Sequence, residues 1–320
     1  MSILIAGAGQ LGSRYLQGLA TLDSSHKIIL VDPAEESLRR AFERFQGAGG
    51  STKNLSAHKE ITHALPPIDL AIISSLASTR LQITKALLEK TSVKFLILEK
   101  LLAQNIHSID SLERLTTNTS ATWVNTPRRI MCFYNDIKAL IKKENPNNTP
   151  LHIEVKGGNW GLACNSIHFI DLAEWLTEAH LETCQVQSKM TWQNSKRPGF
   201  KEANGKINCQ LERGNSLKLI NEDSSSSLKI KVQSQHIDLE INEQEGMAMD
   251  YRRDFKIHGH MELQSELTGP LVKSILKKQI CLLPSLKTSA RQHRIFLQTL
   301  AEDFFSDQIA KEPERKLPIT

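Results

Sequence analysis

Several things are scarce in this chain. Aromatic residues fill only 5 % of its 320 positions. No apolar run approaches the ~18 residues that a membrane-spanning helix requires, so neither a membrane span nor a membrane partner is expected. Basic residues exceed acidic ones only enough for a net charge of +5. They are scattered, with no basic stripe and no aromatic-studded groove, so no nucleic-acid partner is expected. The five cysteines (Cys132, Cys164, Cys184, Cys209 and Cys281) are odd in number and show no CxxC spacing. That speaks against a disulfide framework and against a zinc site, and for reduced thiols in a cytoplasmic setting. The opening "MSILIAGAGQLG" lacks a basic stretch, and its apolar run is too short for a signal peptide. No internal repeats occur. What remains, 40 % apolar and 23 % charged residues, is the composition of an ordinary globular protein, with length for about two domains.

The first third alternates strand-like and helix-like segments. "ILIAG", "HKIILVD", "IDLAIIS", "VKFLILEK" and "ATWVN" read as buried strands. "QLGSRYLQGLATL", "PAEESLRRAFERF", "STRLQITKALLEK" and "IDSLERLTT" read as the helices between them. Strands separated by helix-length segments predict right-handed crossovers and a parallel sheet covered on both faces. Residues 1–124 are therefore expected to form a doubly wound Rossmann domain.

Residues 125–285 are expected to form a second, α+β domain. "LHIEVKG" reads as a strand and "NSIHFIDLAEWL" as a buried helix. From about residue 184, "CQVQSKMTW", "KINCQLE", "NSLKLI", "SLKIKVQ" and "HIDLEIN" alternate with the period of a half-exposed antiparallel sheet. Ser224 to Ser227 reads as a hairpin turn. Residues 286–320 supply an amphipathic helix, "SLKTSARQHRIFLQTLAEDFF", and a frayed tail, "KEPERKLPIT".

"GAGQLG" sets Gly7, Gly9 and Gly12 in a GxGxxG pattern between a strand and a helix, with Asp32 at the end of the next strand. Gly7 permits the tight turn, Gly9 lets a pyrophosphate approach the backbone, and Gly12 lets helix and strand pack closely. The helix start, with Gln10 and Leu11, offers unpaired N–H groups to phosphate. Asp32 accepts hydrogen bonds from both adenosine ribose hydroxyls and repels a 2′-phosphate, so NAD is expected as the cofactor in preference to NADP. Ser74 and Glu99, at the ends of two later strands, complete the expected cofactor-binding set. "KFLILEK" also carries Lys100 to the carboxyl edge of the sheet, where ligands bind in open α/β folds. Position alone fits two readings equally: a lysine reaching substrate, or a strand-end ion pair with Glu99.

"GAGQLG", "LEKLLA", "GLACNSIHFIDLAEWL" and "LPSLKTSARQHRIFLQTL" together resemble the glucose–fructose oxidoreductase / inositol dehydrogenase / rhizopine-catabolism oxidoreductase family over most of the chain. "LEKLLA" is similar to its Glu-Lys-Pro motif, and the helix to its Asp-x-x-x-His motif. The resemblance implies a Rossmann domain followed by an α/β domain with a large, open, mostly antiparallel sheet. It implies NAD(P)-dependent redox chemistry on a small-molecule carbohydrate or related alcohol, with homodimers or homotetramers formed through the open sheet. A nucleotide sugar of polysaccharide biosynthesis is one such substrate. By motif, Lys100 is the active-site lysine and His168 the helix histidine, both catalytic. The chain departs from the pattern at Leu101, where the family has Pro; at Arg80, near a common His; and at Cys164, in place of the motif Asp. A thiol orients an imidazole poorly compared with a carboxylate.

Asn165 shares much of the helix face of His168 and is a substrate candidate. So is Asp171, which lies nearly one turn further on and could instead hold the imidazole tautomer or cap a neighbouring loop. Asn125 and Arg129 border the substrate in family members; a solvated arginine pair, Arg128 and Arg129, fits as well. His168 itself fits a core histidine as well as a base. Trp160 fits a sugar-pocket wall or a core residue. His258 and His260 put two imidazoles on one strand face with no third ligand nearby, so a surface strand is preferred and no metal is expected. The Cys164 departure also leaves a second function open: a regulator that senses dinucleotide or sugar without turnover.

Overall fold

The structure is a computed structural model that describes residues 1–62, 65–305 and 314–320. The chain divides into two compact units. The first comprises Met1–Ala103, Ser108–Asn125 and Glu262–Ala290; the second comprises Gln104–His107, Thr126–Met261 and Arg291–Thr320.

In the first unit the buried runs of the sequence become the strands β1 (Ser2–Ala6), β2 (Lys27–Val31), β3 (Leu55–His58), β4 (Ile68–Ile73), β5 (Val93–Glu99) and β6 (Ala121–Asn125). Helices α1 (Gln10–Leu19), α2 (Glu35–Gly47), α3 (Ala77–Lys90) and α4 (Ile106–Leu115) alternate with them. The six strands lie in the order β3-β2-β1-β4-β5-β6, and every pairing is parallel. Order reverses between β1 and β4, the switch point at which a doubly wound sheet binds ligands. The central strands are buried on both faces: Ile3, Leu4, Ile5, Leu70, Ala71, Ile72, Leu96, Ile97 and Leu98 are all inaccessible. β3 is short and half-exposed, which is why its weak apolar signal escaped the sequence.

The second unit holds α5 (Cys132–Glu144), β7 (His152–Gly158), α6 (Leu162–Thr177) and the strands β8 (Leu181–Val186), β9 (Thr191–Asn194), β10 (Lys201–Leu211), β11 (Ser216–Glu222), β12 (Lys229–Gln233), β13 (Asp238–Asn242), β14 (Met247–Asp250) and β15 (Phe255–His258). Its sheet runs β15-β14-β13-β12-β7-β11-β10-β8, with β9 paired to β10. All pairings are antiparallel except β11 with β7. α6 packs on β10 and β11. The outward residues form cross-strand ion pairs, Lys218–Glu154 at 3.3 Å and Lys229–Glu240 at 2.7 Å. Among the described residues no two cysteines are joined by a disulfide, although Cys184 and Cys209 stand opposite each other on β8 and β10.

Two further helices close the chain, α7 (Gln264–Lys278) and α8 (Leu286–Phe304). α7 packs on α1 in the first unit, where Gly18 and Gly269 make the approach possible. A Cβ on Gly18 would lie 2.5 Å from the Ser265 carbonyl oxygen. Residues 262–290 thus group with the first unit, a return that a linear division at 124 and 285 does not contain.

Three local expectations are corrected. "CQVQSKMTW" is not one strand: the chain leaves β8 at Val186 and resumes as β9 at Thr191. Ser224 to Ser227 is not a hairpin turn, because β11 and β12 are not neighbours; both pair with β7, on opposite sides. The segment instead crosses the end of β7, where Gly158 N–H donates to the Ser226 carbonyl at 2.9 Å. A Cβ on Gly158 would lie 2.1 Å from the Ser224 carbonyl oxygen, so glycine is required beneath the crossing. The tail is not frayed over 314–320. Leu317 and Ile319 are buried, and Leu317 N–H bonds the Gln104 carbonyl at 2.9 Å. Its first residues, 311–313, lie outside the described residues.

Candidate functional site

The glycine loop follows β1. Gly7 has φ +101°, a region open to glycine at little cost, and its N–H bonds the Val31 carbonyl at 2.8 Å. A Cβ on Gly12 would lie 1.8 Å from the Gly7 carbonyl oxygen, so α1 can start this close to the loop only with glycine there. Gly9 is different. A Cβ on it would meet no atom within 4 Å, so internal packing does not require glycine at that position. The space beside Gly9, next to exposed Gln10 and Leu11 and a helix start with no side-chain cap, fits the approach of a pyrophosphate.

Asp32 is half-buried. Its Oδ2 accepts the Ala8 N–H of the loop at 2.6 Å, and its Oδ1 accepts the Ala34 N–H at 2.8 Å. These bonds fix the carboxylate between the loop and the start of α2 and leave lone pairs for ribose hydroxyls. The Ser74 hydroxyl donates to the Gly7 carbonyl at 2.7 Å. It braces the loop from beneath.

The tip of β5 separates its two charged residues. Lys100 is half-buried. Glu99 is only 3 % exposed and points inward. Its Oε1 accepts the Tyr15 hydroxyl and, at 2.7 Å, the Asn125 amide. Asn125, only 3 % exposed, also donates to Gln264 at 2.9 Å. Burial raises the Glu99 pKa above its ordinary value, and hydrogen bonds from Tyr15 and Asn125 and the charges of Arg80 and Lys100 pull it partly back. Burial, then the charge of Glu99, pushes the Tyr15 hydroxyl well above its usual range. Glu99, expected at the cofactor, and Asn125, expected at the substrate, thus lie in the interior. Both side chains join an interior network that also takes in Tyr15, a residue whose unremarkable helix position gave no signal, while the Asn125 Oδ1 is buried without a partner. The peptide bond between Lys100 and Leu101 is cis.

In the second unit, α6 is buried along most of its length. Cys164, Asn165 and His168 are half-exposed and share one face, as their spacing predicts. Asn165 Nδ2 donates to the Trp160 carbonyl at 2.7 Å, so its amide secures the turn into the helix. Trp160 stacks edge-on against Phe169 at 5.3 Å and donates from its indole to the Ile220 carbonyl at 2.8 Å.

Asp171 is buried, and its carboxylate is engaged by Arg129 and Thr126. Its Oδ1 accepts Arg129 Nη2 at 2.6 Å, and its Oδ2 accepts Arg129 Nε at 3.0 Å and the Thr126 hydroxyl at 2.8 Å. Burial raises its pKa, against the pull of Arg129, Thr126 and Gln292. Arg129 is thus not a solvated arginine: it is held in a bidentate ion pair with Asp171. Arg128 is likewise paired, to Glu243 at 2.6 Å, and lies over the Phe169 ring at 4.3 Å. His258 is exposed on β15, and among the described residues no group of three or more His, Cys, Asp or Glu could hold a metal. No helix among them is long and apolar enough to cross a membrane.

No family model and no curated protein matches the chain. Solved structures do. Scyllo-inositol dehydrogenase from Lactobacillus casei with bound NAD(H) and scyllo-inositol superposes with a TM-score of 0.68 at 18 % identity, covering 95 % of this chain and 96 % of that one. UDP-N-acetylglucosamine 3-dehydrogenase GnnA from Acidithiobacillus ferrooxidans gives 0.69 at 13 % identity, covering 93 % and 96 %. The transcriptional regulator Gal80p from Kluyveromyces lactis gives 0.70 at 16 % identity, covering 95 % and 89 %. At such identities the likeness shows the fold: a Rossmann-type parallel sheet and a second, mostly antiparallel sheet, built as in the glucose–fructose oxidoreductase / inositol dehydrogenase / rhizopine-catabolism type of oxidoreductase.

Proposed function

We propose that the protein is an NAD-dependent oxidoreductase acting between an alcohol and a ketone on a sugar or nucleotide sugar, with polysaccharide biosynthesis as one setting. The observation that carries this reading is the glycine loop, open at Gly9 and closed by packing at Gly12, with Asp32 fixed beside it. The loop and the first-turn amides of α1 would hold a pyrophosphate. Asp32 would accept the ribose hydroxyls, and together with Glu35 and Glu36 in the first turn of α2 it would disfavour a 2′-phosphate. A bound nicotinamide supplies the hydride acceptor or donor. In the oxidising direction the His168 imidazole takes the hydroxyl proton. The Lys100 ammonium is assigned to oppose negative charge developing on a substrate oxygen. In the reducing direction His168 returns the proton. The first unit is assigned to dinucleotide and the second to substrate and to assembly as a homodimer or homotetramer.

Calorimetric titration tests the cofactor assignment. NAD is expected to bind at least tenfold more tightly than NADP, about 1.4 kcal/mol, and Asp32→Ala to narrow the gap. A preference for NADP in the parent protein would overturn it. Lys100→Met is expected to leave NAD affinity within a few fold and to lower turnover by roughly two orders of magnitude. Undiminished turnover would remove Lys100 from the mechanism.

The face of α6 favours a second reading. Cys164 stands where the resembled motif has a carboxylate, and the nearby acid, Asp171, is committed to Arg129. A regulator that binds dinucleotide or sugar without turnover would need no such acid. Adding candidate sugars to the NAD-loaded protein separates the two: a change in reduced-nicotinamide absorbance supports the enzyme, and binding without that change supports the regulator.

A further inference from the structure

Arg80, on α3, heads the largest fully buried side chains among the described residues. A guanidinium at 1 % exposure costs much free energy unless its donors are met. Here hydrogen bonds run to backbone carbonyls and none to a carboxylate. Nη1 donates to the Leu101 carbonyl and, at 3.3 Å, to the Leu102 carbonyl; Nη2 donates to the Ser75 carbonyl. Nε is buried with no hydrogen-bond partner. Burial lowers the pKa to about 10, against the opposing pull of Glu99, and the group stays charged at neutral pH. An apolar side chain would fill the space without the desolvation cost but would leave these three carbonyls without their donor.

What the fork joins is specific. Ser75 follows β4, and Leu101 and Leu102 follow Lys100 at the tip of β5. On the other flank of Lys100, Glu99 is fastened by Tyr15 and Asn125. The backbone is therefore held on both sides of the lysine. A planar guanidinium can serve two loops at once from two nitrogens; an ammonium is a single point. We infer that Arg80 is a positioning residue for Lys100, clamping the carbonyls of residues 75, 101 and 102 so that the ammonium meets substrate in one orientation. The inference rests on the reading that Lys100 touches the reacting oxygen.

The test follows Lys100 directly and needs no known substrate. Lysines are reductively ¹³C-methylated, and the Lys100 resonance is assigned by its loss in Lys100→Arg. In Arg80→Lys the Lys100 signal is expected to move and its titration midpoint to shift by about half a unit or more, while signals from lysines of the second unit, such as Lys138, stay in place. Arg80→His, which keeps a smaller donor, serves if Arg80→Lys does not fold. With a turned-over substrate, Arg80→Lys should lower kcat about tenfold and leave the KM for NAD unmoved. A Lys100 signal and midpoint identical to the parent in a folded variant would overturn the inference. So would failure of both variants to fold, since the clamp would then serve the unit as a whole. Lys100→Met separates the two claims. Lost turnover there with an unmoved Lys100 signal in the Arg80 variants sinks the positioning role and keeps the catalytic reading; unchanged turnover with a moved signal does the reverse.

Discussion

Glu99 in the first unit and Asp171 in the second are buried carboxylates that each lie within three residues of a half-exposed basic side chain, Lys100 and His168. They are satisfied in different ways. Glu99 is hydrogen-bonded by neutral groups, the Tyr15 hydroxyl and the Asn125 amide, and feels Arg80 only through space. Asp171 is held by a bidentate guanidinium, with Thr126 as a further donor. An acid with neutral donors can be replaced by its amide at little cost. An acid in a buried ion pair cannot lose its partner without leaving a charge stranded. In both units the acid anchors an element and the base beside it is left accessible.

Breaking the ion pair should give the largest effect. Arg129→Met leaves Asp171 buried without its counter-ion and is expected to cost about 3–5 kcal/mol, read as a lower urea midpoint. A loss below about 1 kcal/mol would show that the pair is worth no more than an exposed one. His168→Ala comes next. If His168 is the general base, the rate of the parent rises with pH through an apparent pKa near about 6.5, and the variant loses that limb and slows about a hundredfold. An unchanged pH–rate profile would return His168 to the packing of α6.

Glu99→Gln should be mild, within about 1 kcal/mol of the parent at neutral pH, because the amide oxygen still accepts from Tyr15 and Asn125. Its pH dependence carries the sharper information. The folded-state pKa of Glu99 is raised above its ordinary value of 4.5, so the native protein holds this proton more tightly than the unfolded chain. The resulting stabilisation is fully present below about pH 4.5 and is lost as pH rises through the raised pKa. Relative to Glu99→Gln, the parent should therefore gain stability on acidification from neutrality. A gap in unfolding midpoints that shrinks or stays flat as pH falls would contradict the neutral-donor account. The smallest effect is expected at Cys164. Cys164→Ala should change turnover less than about threefold, because a neutral thiol does little to hold an imidazolium. Cys164→Asp should raise the midpoint of the His168 limb through an opposite charge one helical turn away. A large loss in Cys164→Ala would make the thiol a working part.

Much of the first unit was legible because its signals are local. β1, β4 and β5 are continuous apolar runs, and a run buried on both faces reads the same wherever the strand lies in the sheet. The loop was legible for a related reason: Gly7 and Gly12 meet each other within six residues, and Asp32 ends the adjacent strand. The helix face carrying Cys164, Asn165 and His168 followed from spacing alone. α5 and α7 were missed although Phe133, Ile137 and Ile141 do mark a helical stripe; short apolar stripes among polar residues compete poorly with neighbouring strand signals.

The amino-acid sequence by itself determined which residues stand at the strand tips and on the accessible helix face, because periods of two and 3.6 are properties of the local backbone. Tertiary structure alone decided which of them are spent. Glu99 meets Tyr15 from 84 residues away, and Asp171 meets Arg129 from 42. Arg80 reaches carbonyls 21 and 22 residues further on. The crossing of 224–227 over β7 depends on Gly158, 66 residues before Ser224. A buried charge or amide must find its partner wherever the packed chain brings one, and sequence distance places no bound on where that is.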